Sequence, residues 1–296
     1  MRARPQPRAL LLTVLLCGLA ACGGSRPGRR TFVRDGNVEV GEVKPMSSFA
    51  LSRVWGYTGM ISPALPTGHR SRARLVFLER FDPARTPVVF VYGMMGTPLQ
   101  FESLIASLDR SRFQPWIFHY RSGERIGESA SELWRALSLA RRHYGATRVV
   151  LVAHSMGGLV TRQALNLWMS DAVGSRAETI PCFVTLASPL GGHPSAARGA
   201  DAPAGVPAWT DLAPGSVFLQ ALYTRPLPDS VRYLLVTATG TDGTTDGVVP
   251  VANQLPLGAV AEADERAAYP VAHVPVLSDP TAVRDVQAFL SRCVAR

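Results

Sequence analysis

Past residue 73 the chain alternates between short unbroken apolar runs and longer stretches with a helical period. Leu75–Leu78, Val88–Val91, Trp116–Tyr120, Val149–Val152, Cys182–Leu186 and Val231–Thr237 carry β-branched or aromatic residues. Runs of this length and composition predict strands buried on both faces. Helix signals fall between them. Thr97-Pro98-Leu99-Gln100 offers an N-cap, a proline at the first helical position and a capping-box partner. Ser129-Ala130-Ser131-Glu132 opens a second helix, in which Ala130, Leu133, Trp134, Leu137, Ala140 and Tyr144 share a face. Met156 to about Trp168 and Ala282 to about Val294 supply two more. This alternation predicts an α/β fold: a mostly parallel central sheet with helices on both faces. Residues 37–73 show no clear period. Residues 191–230, rich in Gly, Ala and Pro, interrupt the alternation and read as a lid-like insertion over a site. No internal repeat is present, and 37–296 reads as one domain.

Composition narrows the class. Apolar residues make up 47% of the 296 and charged residues 18%, which excludes a disordered chain. The formal charge is +9, but the basic residues are scattered and no recognition motif accompanies them. A nucleic-acid partner is therefore not expected. Lys44 is the sole lysine among the basic residues; the others are Arg.

The first residues read as an address. Arg2, Arg4 and Arg8 precede an apolar run from Ala9 to Ala21, too short to span a bilayer as a helix. A basic stretch followed by a short apolar one describes an export signal, here residues 1–21. Leu19-Ala20-Ala21-Cys22 resembles the bacterial lipobox, in which the cysteine is diacylated and becomes the new N-terminus. That resemblance implies a lipid anchor on Cys22, a tether over 22–36 and a bacterial cell-envelope location. Gly23 after the cysteine resembles outer-membrane lipoproteins. Cys182 and Cys293 then remain in an oxidising compartment. Their distance is not legible; a disulfide is open, and buried, inert thiols are the expectation. No CxxC or His/Cys cluster points to a metal.

The most informative stretch is Arg148-Val-Val-Leu-Val-Ala-His-Ser-Met-Gly-Gly-Leu-Val. An apolar strand ends at Ala153, Ser155 follows, and Gly157 and Gly158 lead into a helix. This is the pattern of a nucleophile elbow, a tight turn that holds a serine Oγ clear of the backbone. His154 beside it is read as structural. A serine nucleophile needs a base, and the base an orienting acid. In the chain order that accompanies this elbow, acid and then base follow the serine. Among the six histidines, only His273 lies beyond a plausible acid on a late strand. After Val231–Thr237, both Asp242 and Asp246 qualify as that acid; Asp242, beside Gly243, also reads as a turn residue. Two N–H donors are needed for an oxyanion. Met156 is one, directly after the serine. Met94 is the other, in the loop of Val88-Val-Phe-Val-Tyr-Gly-Met-Met-Gly, where Gly93 and Gly96 allow close approach.

Together these elements resemble the α/β-hydrolase superfamily over about residues 74–293. Bacterial lipases and esterases and the inositol-deacylase-like hydrolases are the nearer likeness. The motifs are Tyr92-Gly-Met-Met-Gly, Tyr120-Arg-Ser-Gly, Ala153-His-Ser-Met-Gly-Gly, Ala187-Ser-Pro-Leu-Gly-Gly, Asp246-Gly-Val-Val-Pro and His273. The likeness favours Asp246 as the acid. Ala153 stands where the family usually has glycine, and Tyr92 where it usually has a histidine supporting the oxyanion loop. The resemblance implies hydrolysis of a carboxylic ester through Ser155, His273 and Asp246, with an acyl-enzyme intermediate. It implies no metal or organic cofactor. A lipidic or acyl-bearing ester is the expected partner, beside the membrane reached through Cys22. A thioesterase, an amidase, a lipid acyltransferase and a non-catalytic envelope protein are the rival readings. Val206, Trp209, Leu212, Val217, Phe218, Leu219 and Leu222 fit either a lid that meets acyl chains or the core of short helices. Met94 and Met95 suit an acyl chain or simple core filling equally.

Overall fold

The computed structural model describes residues 32–49, 52–61, 73–171, 179–200 and 205–294. The expected export signal, Cys22 and the first part of the expected tether lie outside them. Among the described residues nine strands form one sheet: β1 (Val33–Asp35), β2 (Val38–Val43), β3 (Ala73–Phe77), β4 (Thr86–Val91), β5 (Phe113–His119), β6 (Arg148–His154), β7 (Thr179–Leu186), β8 (Arg232–Ala238) and β9 (Glu265–Tyr269). Their order is β1-β2-β3-β5-β4-β6-β7-β8-β9. Pairing is parallel except at β1–β2 and β3–β5. The helices are α1 (Ser52–Ile61), α2 (Glu102–Ala106), α3 (Ile126–Tyr144), α4 (Met156–Ser170), α5 (Pro194–Ala200), α6 (Pro207–Leu212), α7 (Val217–Leu222), α8 (Val251–Gln254), α9 (Leu257–Glu262) and α10 (Pro280–Val294).

The six predicted strands are β3 to β8. β6 shows why they were legible: Val149 to Ala153 are all fully buried, as a strand covered on both faces must be. β5 begins at Phe113, ahead of the predicted Trp116. It runs through Pro115, whose carbonyl accepts from the Leu78 N–H at 3.2 Å. The tether reading is too long at its end, because β1 lies within 22–36 and pairs with β2. Residues 37–73 also hold structure that no period announced, β2 and α1.

α3 starts at Ile126 and not at Ser129, which is buried inside the helix. Its first turn is capped from a distance. The Asp211 carboxylate on α6 accepts the Ile126 N–H at 2.7 Å and pairs with Arg125 at 2.9 Å. An anion at a helix N-terminus satisfies an orphan donor and favours the helix dipole. Gly145 closes the helix at φ 73°. α4 buries Arg162, whose guanidinium grips Glu262 of α9 at 2.8 and 2.5 Å.

Cys182 of β7 and Cys293 of α10 are joined as a disulfide, with Cα atoms 6.0 Å apart. This corrects the expectation of inert thiols. The bridge closes a separation of 111 residues, so no local pattern could announce it.

Candidate active site

β6 ends in the predicted elbow. Ser155 takes φ 55° and ψ −136°, and α4 begins at Met156. A non-glycine residue at positive φ is strained and persists only when its surroundings hold it. Here the Ser155 N–H donates to Leu186 O at 3.0 Å, and the Gly158 N–H donates to Ser155 O at 2.9 Å. Contact demands the glycines that follow. A Cβ at Gly157 would lie 2.3 Å from the Val91 carbonyl oxygen, and one at Gly158 would lie 2.3 Å from Ser188 Oγ. Ala153 is accommodated, fully buried between Val91 of β4 and Thr185 of β7.

The loop after β4 closes on the same serine. A Cβ at Gly93 would stand 2.5 Å from Ser155 Cβ, 2.8 Å from its Oγ and 3.1 Å from Met156 N. The turn is shut by the Gly96 N–H donating to Gly93 O at 3.0 Å. Met95 sits at φ 54°, and its N–H donates to Ser122 Oγ at 3.1 Å. Met94 and Met156, the predicted oxyanion donors, therefore belong to the two turns that meet at Ser155.

Tyr92, just ahead of this loop, is fixed by a cluster of hydrogen bonds. Its phenol donates to Tyr120 O at 3.0 Å, accepts the Tyr120 N–H at 3.0 Å and lies 2.8 Å from His119 Nδ1. Tyr120 Oη returns a bond to Tyr92 O at 2.7 Å. Burial pushes the Tyr92 phenol up, so it stays protonated. Burial, then the nearby Arg74 and Lys44, push His119 down to about 4. The cluster is thus neutral and hydrogen-bonded, which is what a buried polar group requires.

Asp246 follows β8 and His273 follows β9. His273 Nδ1–H donates to Asp246 Oδ2 at 2.7 Å. Asp246 Oδ1 accepts the N–H groups of Val248 and Val249 at 2.8 and 2.6 Å. Gln254 Nε2 donates to Oδ2 at 3.2 Å. Burial works to raise the Asp246 carboxyl, but the His273 bond and the two backbone donors outweigh it and hold it below its ordinary value. Asp242 is exposed and its carboxylate accepts from its own turn, at Thr244 N.

Ser155 and His273 open onto one cavity of about 520 Å³. Both side chains line it, and no hydrogen bond joins the two. Met94, Met95, Trp209, Leu212, Val248 and Val274 give it an apolar lining. Among the described residues no Asp, Glu, Lys or Arg lines it. Of the insertion residues, Trp209 and Leu212 face the cavity, Val206, Leu219 and Leu222 are core, and Val217 is exposed. Trp209 Nε1–H reaches Met94 Sδ at 3.3 Å. Among the described residues no group of three His, Cys, Asp or Glu is placed to hold a metal ion.

Two contributors escaped the sequence reading. Gln254 is fully buried, and besides Asp246 it bonds both backbone groups of Ala238, at 3.0 and 2.8 Å. The run Val251-Ala-Asn-Gln-Leu, with Asn253 beside it, gives no signal that sets Gln254 apart. His193 donates through Nε2 to Val248 O at 2.7 Å, tying the start of the insertion to the acid loop.

The family described as the PGAP1-like alpha/beta domain matches residues 132–199, the stretch around the elbow. No curated protein matches the chain by sequence. Among solved structures, a Bacillus licheniformis lipase in its mature form superposes with TM-score 0.54 at 19% identity, covering 72% of this chain and 94% of its own. A Listeria innocua gene product gives 0.53 at 16%, covering 70% and 94%. Aspergillus fumigatus lipase B gives 0.53 at 16%, covering 71% and 53%. The chain has an α/β-hydrolase fold.

Proposed function

We propose that this protein is a serine hydrolase that cleaves carboxylic esters of uncharged, apolar acyl groups. One observation carries the reading. The Asp246–His273 hydrogen bond and the strained elbow serine open onto the same apolar cavity. In this mechanism Ser155 Oγ attacks the acyl carbonyl as His273 Nε2 takes its proton. Asp246 keeps Nδ1 protonated and steadies the imidazolium. The N–H groups of Met94 and Met156 receive the oxyanion, the latter at a helix N-terminus. Collapse expels the alcohol, which takes the proton from His273. Water, activated by the same imidazole, clears the acyl-enzyme. The uncharged lining favours an apolar acyl chain over a charged one. Two structures that share the fold are named lipases, which supports the ester reading.

The test is kcat/KM on p-nitrophenyl esters from acetyl to palmitoyl, beside Ser155→Ala. Turnover lost in the variant and favouring longer chains is the expected result. Turnover that survives Ser155→Ala on every ester would refute the assignment. Ser155-dependent turnover of thioesters or amides alone would move the class and keep the nucleophile.

The cell-envelope location and the lipid anchor on Cys22 belong to the same proposal and rest on the N-terminal sequence. Cys22→Ser should shift the protein from the membrane fraction to the soluble one. An unchanged distribution would remove the anchor.

A further inference from the structure

His154 adjoins the proposed nucleophile, yet the mechanism above gives it no task. Its ring is 2% exposed and lies 4.7 Å, centroid to centroid, from the ring of His273. Its Nε2 stands 3.0 Å from the carbonyl oxygen of His273. A carbonyl only accepts, so Nε2 carries the proton and Nδ1 is a bare acceptor. That Nδ1 is buried without a partner among the described residues. An orphaned acceptor is costly, and a phenylalanine of similar size would avoid it. What a phenylalanine would not supply is the Nε2–H. Burial, and then the adjacent His273, push His154 down to about 3, so a neutral ring faces the base.

His273 is held at three points. Its backbone N–H donates to Asp246 O at 2.9 Å, and its Nδ1–H donates to Asp246 Oδ2 at 2.7 Å. Both tie it to the acid loop. The third bond, from His154 to its carbonyl, ties it to β6, the strand that presents Ser155. We propose that His154 is a positioning residue for the His273 base, registering the loop after β9 against the nucleophile elbow through its Nε2–H. The inference rests on the roles proposed for Ser155, Asp246 and His273. Registration matters because a displacement of about 1 Å between reacting groups costs on the order of a hundredfold in rate.

The experiment compares His154→Gln, His154→Asn and His154→Phe in the purified protein. Glutamine sets an amide N–H near the place of Nε2, asparagine is too short, and phenylalanine keeps the ring without a donor. We expect kcat to fall about ten- to a hundredfold in the Asn and Phe variants. KM should stay within about twofold of the parent, because the lost bond does not touch substrate. Glutamine should restore most of kcat. Thermal melting should not follow that order, since phenylalanine removes the orphaned acceptor. Full kcat in His154→Phe, or kcat losses that track melting across the three, would overturn the proposal. If phenylalanine does not fold, equal kcat for Gln and Asn overturns it instead. Ser155→Ala and His273→Ala run beside them. Turnover that survives either of these would fault the triad reading, whereas their inactivity with a fully active His154→Phe would fault this inference alone.

Discussion

At the carboxyl end of β6, five consecutive fully buried residues lead into a serine at φ 55°. In the insertion above it, α5, α6 and α7 are only six or seven residues long, and beside a few core residues such as Leu219 and Leu222 they are pinned by polar contacts. Asp211 reaches the first turn of α3. The Ala208 N–H donates to Gly123 O at 3.0 Å. Ser216 Oγ donates to Asp211 O at 2.6 Å and caps α7 by accepting the Leu219 N–H. Close packing on both faces fixes a backbone tightly and tolerates little change. Polar pins are each worth about 1 kcal/mol and can be removed singly. The two regions should therefore answer mutation differently. Changes at the strand ends should alter the rate on every substrate, and changes in the insertion should alter which substrate is preferred.

The largest effect should come from Gly93→Ala. The new Cβ would press on Ser155 Oγ and on the Met156 N–H. kcat/KM should drop about 10²–10³-fold, the scale of losing an oxyanion donor, and equally for every acyl length. A loss confined to long chains would erase the distinction between the regions. Next comes Trp209→Ala, which removes a wall of the cavity beside Met94. The ratio of long-chain to short-chain kcat/KM should shift by about 1.4–3 kcal/mol, tenfold or more. An unchanged profile would reassign Trp209 to packing.

Asp211→Ala should cost about 1–2 kcal/mol of stability in urea unfolding, as the loss of a helix cap does. Turnover of the acetyl ester should barely change. If it fell with stability, insertion and sheet would be one unit. The smallest effect separates charge from packing on α3. Burial, the dominant cause, pushes Glu132 up to about 7, against an ordinary 4.5. Its raised folded value means stability is full below pH 4.5 and lost as pH rises through 7. Glu132→Gln stays neutral, so it should gain about 1 kcal/mol near pH 8 and nothing near pH 4. Equal gains at both pH values would point to packing.

How much was legible follows the same division. Strands β3 to β8 carry local signals, because burial on both faces needs unbroken apolar runs. The elbow is readable from its small residues and His273 from its order along the chain, whereas order leaves Asp242 and Asp246 both open and it is the family likeness that favours Asp246. β9 was not, since Glu265-Arg-Ala-Ala-Tyr is an edge strand with just Tyr269 buried. The start of α3 was misplaced because its cap comes from Asp211, 85 residues away. The Cys182–Cys293 bridge and the grip of Gln254 on Asp246 likewise depend on the folded chain. His154 was readable as structural, but its bond to the carbonyl of His273 spans 119 residues.

The central claim is that Ser155 is the nucleophile of an Asp246–His273 pair. A fluorophosphonate probe followed by peptide mapping tests it most directly. The account predicts one adduct, on the peptide holding Ser155, absent in Ser155→Ala and slow to form in His273→Ala. No adduct on the folded protein, or an adduct on another serine that persists in Ser155→Ala, would contradict it.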